Sequence, residues 1–434
     1  MKKKESKPKI NFINHASYFL KHKNINFMVD PWLEGKVFDD SWDLISKTKF
    51  QYEDFNKINH IWFSHEHPDH FSPPNLKKID SKFRKKINIY YQKTKDKKVK
   101  GFCEKLNFKS FTELKNLNEY EIENSYNIIC GKYHNVDSWL CHKIDDSTIL
   151  NLNDCIINSD KELTKLKNRI GNIDVLLTQF SYANWAGNTD EKFYRKNHAI
   201  SIIKRLLNQI RVLKPKYIIP FASNIYFCHD ENKYMNDFPN SLFDVEKKIL
   251  AQNIAKPIIL YPGDSWKISD PINNNLNIKK YNSDLNLKLN EVKNFTKQRI
   301  IFEEELFKES LNFTKKFKKG MPIFWKLLKK TYIYLQDYNQ LYEFSISSGL
   351  IKCNKNKPFD VQLSSSSLMY ALKFMWGGDT IEISGKVQKN LKTGKYKNYR
   401  TIFYLASKIN NGYKINFLFL LKNLFKLLFI YLKK

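Results

Sequence analysis

His65-Glu66-His67-Pro68-Asp69-His70 follows the apolar run Ile61-Trp62-Phe63, one residue on. Three imidazoles and a carboxylate crowd a loop that leaves a predicted strand. From such a loop His65 and His67 can turn toward one metal ion while Asp69 and His70 turn toward a second. Borderline divalent ions such as Zn²⁺ favour this mixture of nitrogen and oxygen donors. A solvated His-rich turn would seldom keep metal-ligand spacing. The stretch predicts a metal site.

A two-metal site needs further donors, and the chain has ten histidines in all. His134 ends a predicted strand, and Asp154 ends the next strand but one. A carboxylate at such a strand end can bridge two cations. His229, after the strand predicted over 217–221, would complete the second ion's set. The expected ligands are therefore His65, His67 and His134 for one ion, Asp69, His70 and His229 for the other, and Asp154 between them. His15 and Asp30, both at strand ends, are expected to hydrogen-bond these ligands from behind. His142 lies inside a strand beside Cys141 and reads as structural.

Around the cluster, strands are predicted over 9–13, 25–29, 58–63, 87–91, 126–133, 148–152, 173–180, 217–221 and 257–261. Ser159-Asp160-Lys161-Glu162 is a capping box opening a helix that Gly171 can close, and helical patterns cover 198–213 and 243–254. The interleaving indicates an α/β layered domain over 8–268. A linker and helical segment is expected over 269–335, and a small α+β domain over 336–410. Within that small domain, residues 380–387 alternate in strand fashion. The tail, 411–434, reads as an amphipathic helix with a wide apolar face, because Lys422, Asn423 and Lys426 share one stripe. Such a helix suits peripheral membrane or lipid contact, or docking, rather than a span.

The 434 residues carry a formal charge of +30, with 42% hydrophobic and 15% aromatic content. This is globular composition, not that of a disordered chain. The charge excess is nearly all lysine and dispersed along the chain, which argues against nucleic-acid recognition and leaves a small anionic substrate as the expected partner. Six cysteines form no Cys-x-x-Cys pair, and the basic N-terminus leads into no signal-type apolar core. A cytoplasmic protein is expected, with possible contact at the inner membrane face through the tail.

The His-x-His-x-Asp-His block with a later His, an Asp and a final His resembles the metallo-β-lactamase superfamily. The resemblance implies an αββα sandwich with a dinuclear metal site at one edge. Asn14-His15-Ala16-Ser17, Asp30-Pro31-Trp32-Leu33, residues 64–71 and 149–155, Pro220-Phe221-Ala222 and His229-Asp230 are more narrowly similar to CMP-N-acetylneuraminate hydroxylases. Asn153 stands where most superfamily members have Gly, a departure those hydroxylases share. They also carry a Rieske iron–sulfur domain, which needs two Cys-x-His type ligand pairs. The sequence has no such pairs, so no Rieske cluster is expected and oxygenation would require a separate redox partner. More loosely, residues 359–385, with Trp376-Gly377-Gly378-Asp379-Thr380, are similar to a sterol-carrier-type lipid-binding module.

The leading expectation is a metal-dependent hydrolase. Two Zn²⁺ ions, with Mn²⁺ or Fe²⁺ as alternatives, would generate a bridging hydroxide that attacks a phosphodiester, ester or lactone centre. The substrate would be a sugar-phosphate or lipid-like anion, and Asp69 would also orient the nucleophile or accept its proton. The alternative is an iron-dependent oxygenase acting on a nucleotide sugar.

Overall fold

The computed structural model describes residues 7–134, 136–354, 356–419 and 421. Period-two alternation in its strands buries both faces of two sheets. From the first sheet, Ile10, Phe12, Leu20, Phe27 and Trp62 meet Tyr126, Ile128, Leu140, Ile149 and Val175 of the second in one inner core. On the first sheet's other face, Ile61, Phe63 and Ile89 pack against Leu76, Val99 and Cys103 of short helices. On the second sheet's other face, Ile129, Trp139, Leu150 and Leu176 pack against Leu163, Leu206, Val245 and Tyr281. Helix, sheet, sheet, helix: the layers form an αββα sandwich.

Each sheet has seven strands. The first runs Ser265–Lys267, Lys9–Asn14, Ser17–His22, Ile25–Val29, His60–Phe63, Asn88–Gln92, Ser110–Leu114. The second runs Lys256–Pro257, Tyr217–Phe221, Val175–Gln179, Ser147–Asn153, Asp137–Ile144, Tyr126–Tyr133, Glu119–Glu123. Gly131 pairs with Trp139 across the hairpin, and a Cβ there would lie 2.0 Å from the indole. Only glycine leaves room for that ring.

The capping box at Ser159 opens the helix Asp160–Ile170, with Gly171 as its C-cap. The helix expected over 198–213 begins earlier, at Lys192. His142 is buried between Tyr18 and Tyr126, whose hydroxyls lie 3.2 and 2.9 Å from its ring nitrogens.

The segment expected as a linker is divided between two cores. Asn274–Asn290 packs Ile278 and Tyr281 on the sandwich, whereas Glu303–Gly320 packs Leu306, Phe313 and Phe317 on the C-terminal core. The small domain therefore starts earlier than 336. Its five-stranded sheet runs Gly349–Cys353, Gln340–Ser345, Thr331–Leu335, Val361–Leu363, Gln388–Lys389. The strand-like alternation at 380–387 falls instead on the helix Gly377–Ser384 and the residues after it. Eight residues carry too little pattern to separate the two periods, and packing against neighbouring helices decides. No described helix is long and apolar enough to cross a membrane. Most of the expected amphipathic tail helix lies outside the described residues.

Candidate metal centre

The strands of both sheets end at one edge, and the polar residues leave the core there. His15 follows Lys9–Asn14, Asp30 follows Ile25–Val29, the His65–His70 loop follows His60–Phe63, and Asp154 follows Ser147–Asn153. Asp137 opens the strand Asp137–Ile144, whose antiparallel direction brings its first residue to the same edge. His15, Asp30 and Asn153 take positive φ values of 38°, 43° and 48°. Asn and Asp are the non-glycine residues that best tolerate this conformation. Strained positions gathered at one edge are a mark of a functional site.

Three groups of donor atoms form there, each within 4.8 Å: His15, Asp69 and His70; His65, His70 and Asp154; His65, His67 and Asp137. Shared members join them into one cluster of seven side chains. Nε2 of His15 and Nε2 of His70 lie 3.3 and 3.2 Å from Oδ2 of Asp69. Oδ2 of Asp154 sits 3.1 Å from His70 Nε2 and 3.7 Å from His65 Nε2. His65 Nε2 is 2.8 Å from His67 Nδ1 and 3.8 Å from Oδ1 of Asp137.

The residues fit a pair of cations. Oδ1 of Asp69 is buried without a hydrogen-bond partner, and Nε2 of His15 and of His70 have only the crowded carboxylates of Asp69 and Asp154 beside them. Buried polar atoms left in this state are costly unless something else satisfies them. Burial disfavours an ionised Asp69, but His70 and His15 outweigh it and hold the carboxyl well below its usual range. Burial pushes the Asp137 carboxyl up to about 7, and Asp154 adds to the shift. Crowded carboxylates of this kind await positive charge.

Behind the donors stands a supporting layer. Asp30 accepts from the Ser64 backbone N–H and hydroxyl, both at 2.7 Å, and from Asn153 Nδ2 at 2.6 Å, and its Oδ2 lies 2.9 Å from His70 Nδ1. Asn153 thus uses the side chain that a glycine would lack. Gln179 Nε2 donates to Asp154 Oδ1 at 2.8 Å, and Arg205 donates to Gln179 Oε1 at 3.0 Å. Such partners fix the orientation of metal ligands.

Two expected ligands lie elsewhere, and two other residues stand in their positions. His134 is exposed at the hairpin turn, with its ring 4.0 Å from Tyr133, and Asp137 joins His65 and His67 instead. The signal for Asp137 was its place at the start of the following strand, obscured by the nearby imidazole. His229 is buried, but its Nδ1 accepts the Glu231 backbone N–H at 3.2 Å and faces the Glu231 carboxylate at 3.7 Å. Glu231 in turn accepts from Ser364 and Ser367, so this segment joins the two domains. His15, expected behind the ligands, supplies a donor of its own beside Asp69 and His70.

Residues 9–222 match the family model described as a beta-lactamase superfamily domain. The sandwich has the metallo-β-lactamase fold. This metallo-β-lactamase-fold domain is similar to cytidine monophosphate-N-acetylneuraminic acid hydroxylases. The match to the Xenopus laevis protein is 24% identical, covering 58% of this chain and 44% of that one. With the Danio rerio protein it is 26% identical, covering 52% and 40%. The chain spans half or less of the length of these relatives. Among solved structures, the diiron β-hydroxylase CmlA from Streptomyces venezuelae aligns at 14% identity, TM-score 0.43, over 60% of this chain and 54% of that one. An isothiocyanate hydrolase from Delia radicum gut bacteria aligns at 17% identity, TM-score 0.44, over 60% and 100%.

Proposed function

We propose that the protein is a metal-dependent hydrolase acting at a phosphodiester, ester or lactone centre of an anionic, sugar-phosphate or lipid-like substrate. The observation that carries this reading is the convergence of four imidazoles and three carboxylates at one sheet edge, with His67 lining the adjoining cavity. His15, Asp69 and His70 would hold one divalent cation, His65, His67 and Asp137 the other, and Asp154 would reach both. When bound, such a pair supplies a water acidified to near neutral pH and positive charge for a developing oxyanion.

The chain's own residues do the rest. Asp30 holds His70 by its Nδ1, which leaves Nε2 directed at Asp69 and Asp154. Gln179 occupies one oxygen of Asp154 and leaves the other toward His65 and His70. Asp69, its carboxyl held ionised by His70 and His15, would orient the attacking water by accepting its hydrogen bond. The test is a screen of metal-loaded protein against phosphodiesters, phospholipids, lactones and nucleotide sugars, with His67→Ala as the blank. Turnover lost in the blank supports the reading, and no turnover of any hydrolysable class overturns it.

A second reading is an iron-dependent oxygenase of a nucleotide sugar that draws electrons from a separate redox partner. The names of the curated relatives favour it, and so does Asp137, because a third carboxylate shifts the donor set toward harder ions such as iron or manganese. Iron in protein purified without added metal, together with substrate-dependent oxygen uptake, would select this reading. Zinc with hydrolytic turnover would select the first.

A further inference from the structure

A cavity of about 1160 Å³ lies between the sandwich and the C-terminal domain, with His67 on the sandwich side. The opposite wall carries Tyr370, Trp376, Tyr396 and Tyr404. Trp376 stacks on Phe374 with centroids 4.9 Å apart and meets Tyr370 edge-on at 5.7 Å. Trp376 and Tyr404 are 38% and 42% exposed, whereas Tyr399 and Phe403, beside Tyr404 on the same helix, are buried. The Gly377-Gly378 pair explains how Trp376 comes to the rim. A Cβ on Gly377 would lie 2.3 Å from the Tyr370 carbonyl oxygen, and one on Gly378 2.2 Å from the Phe403 ring. Only glycine lets this helix begin so close to its neighbours.

The wall is bonded to the sandwich rather than hung over it. Trp185 Nε1 donates to the Val387 carbonyl at 3.0 Å. Asn188 both donates to the Lys389 carbonyl and accepts its N–H, each at 2.7 Å. Asn232 Nδ2 donates to the Ser384 carbonyl at 2.7 Å, and the buried Lys386 ammonium pairs with Asp39 at 2.9 Å.

We propose that the C-terminal domain forms half of the substrate site, its Trp376, Tyr370 and Tyr404 wall stacking on a sugar or heterocyclic ring at the non-reacting end of the substrate. The inference rests on the metal-centre reading for the position of the reacting end, near His67. Indole and phenol rings offer a π-face together with polar edges, which suits a ring bearing polar groups better than an acyl chain. The cavity exceeds what one small metabolite fills, as a two-part substrate requires. Lys98 and Arg400 line it as well and supply cations for an anionic substituent.

The test uses the full chain, metal-loaded, and three probes sharing one charged group: uridine 5′-monophosphate, glucose 6-phosphate and dodecyl phosphate. Calorimetric titration should show a ring compound binding about tenfold or more tighter than dodecyl phosphate, and Trp376→Ala weakening it by about tenfold. Metal content should be unchanged in that variant. Preference for the heterocycle or for the sugar identifies the ring. The proposal is overturned by tighter binding of dodecyl phosphate, by ring binding that survives Trp376→Ala, or by no binding of either ring compound. If Trp376→Ala melts early, Tyr404→Ala, at a more exposed position, provides the same comparison. Wild-type protein that takes up no metal would strike the metal-centre reading alone, and ring binding would then be judged on the metal-free protein by the same criteria.

Discussion

Nδ1 of His70 lies 2.9 Å from Oδ2 of Asp30, and both side chains are fully buried. Asp30 also holds Ser64 and Asn153, so one carboxylate ties the end of its own strand to the ends of two strands that deliver donors. Asp30→Ala should therefore weaken metal binding by roughly 10–100-fold, the usual effect of losing such an outer partner. Competition with a chromogenic chelator measures it. An unchanged affinity would remove Asp30 from this role.

Asp137 and His134 make opposite predictions. Asp137→Ala should lower the metal bound per chain, because the carboxylate lies with His65 and His67, whereas the exposed His134→Ala should leave it unchanged. Elemental analysis of the two purified variants decides between them.

Metal uptake should weaken as pH falls below about 7. Burial, with Asp154, pushes the Asp137 carboxyl up to about 7 in the metal-free cluster, so below that pH a proton competes with the cation. Above it the carboxylate is already ionised and this contribution levels off. Dissociation constants measured from pH 6 to 8 should show the trend, and Asp137→Asn should make it shallower, leaving the part due to the imidazoles.

Asp379, in the C-terminal domain, should make stability fall with rising pH. Burial pushes its carboxyl up to about 6 against a hydrogen bond from Ser407. A folded value above the unfolded one means full stability below about pH 4 and a loss as pH rises through about 6. Asp379→Asn should therefore be more stable than wild type at pH 7.5, by at most about 3 kcal/mol, with the gap closing below about pH 4. Denaturant titrations at both pH values check the sign.

Gly378→Ala should destabilise the C-terminal domain by about 1–3 kcal/mol, because the added methyl would overlap the buried Phe403 ring. A lower melting temperature is the readout. A variant as stable as wild type would show that the two helices can separate at no cost.

Much of this protein was legible before folding was considered. Period-two apolar runs marked strands of the sandwich, and the spacing within His65–His70 marked a metal loop at the end of one of them. Both signals are local: side-chain alternation and ligand spacing act over a few residues of chain. The donors supplied from a distance were harder to read. His134 and Asp137 are three residues apart, and the hairpin register, which pairs Tyr133 with Asp137, settles which of them reaches the cluster. His229 carried the right side chain, but its segment is bonded to Thr296 and, through Glu231, to the C-terminal domain.

The linear chain determined which residues are able to bind a cation and which runs build a buried sheet, since those are properties of side chains and their immediate neighbours. Only the tertiary structure decided that His15 and Asp137 join the cluster, that His134 faces solvent, and that Trp376 and His67 line one cavity. Those outcomes depend on strand register and on contacts between residues hundreds of positions apart, where packing of the whole molecule outweighs any local preference.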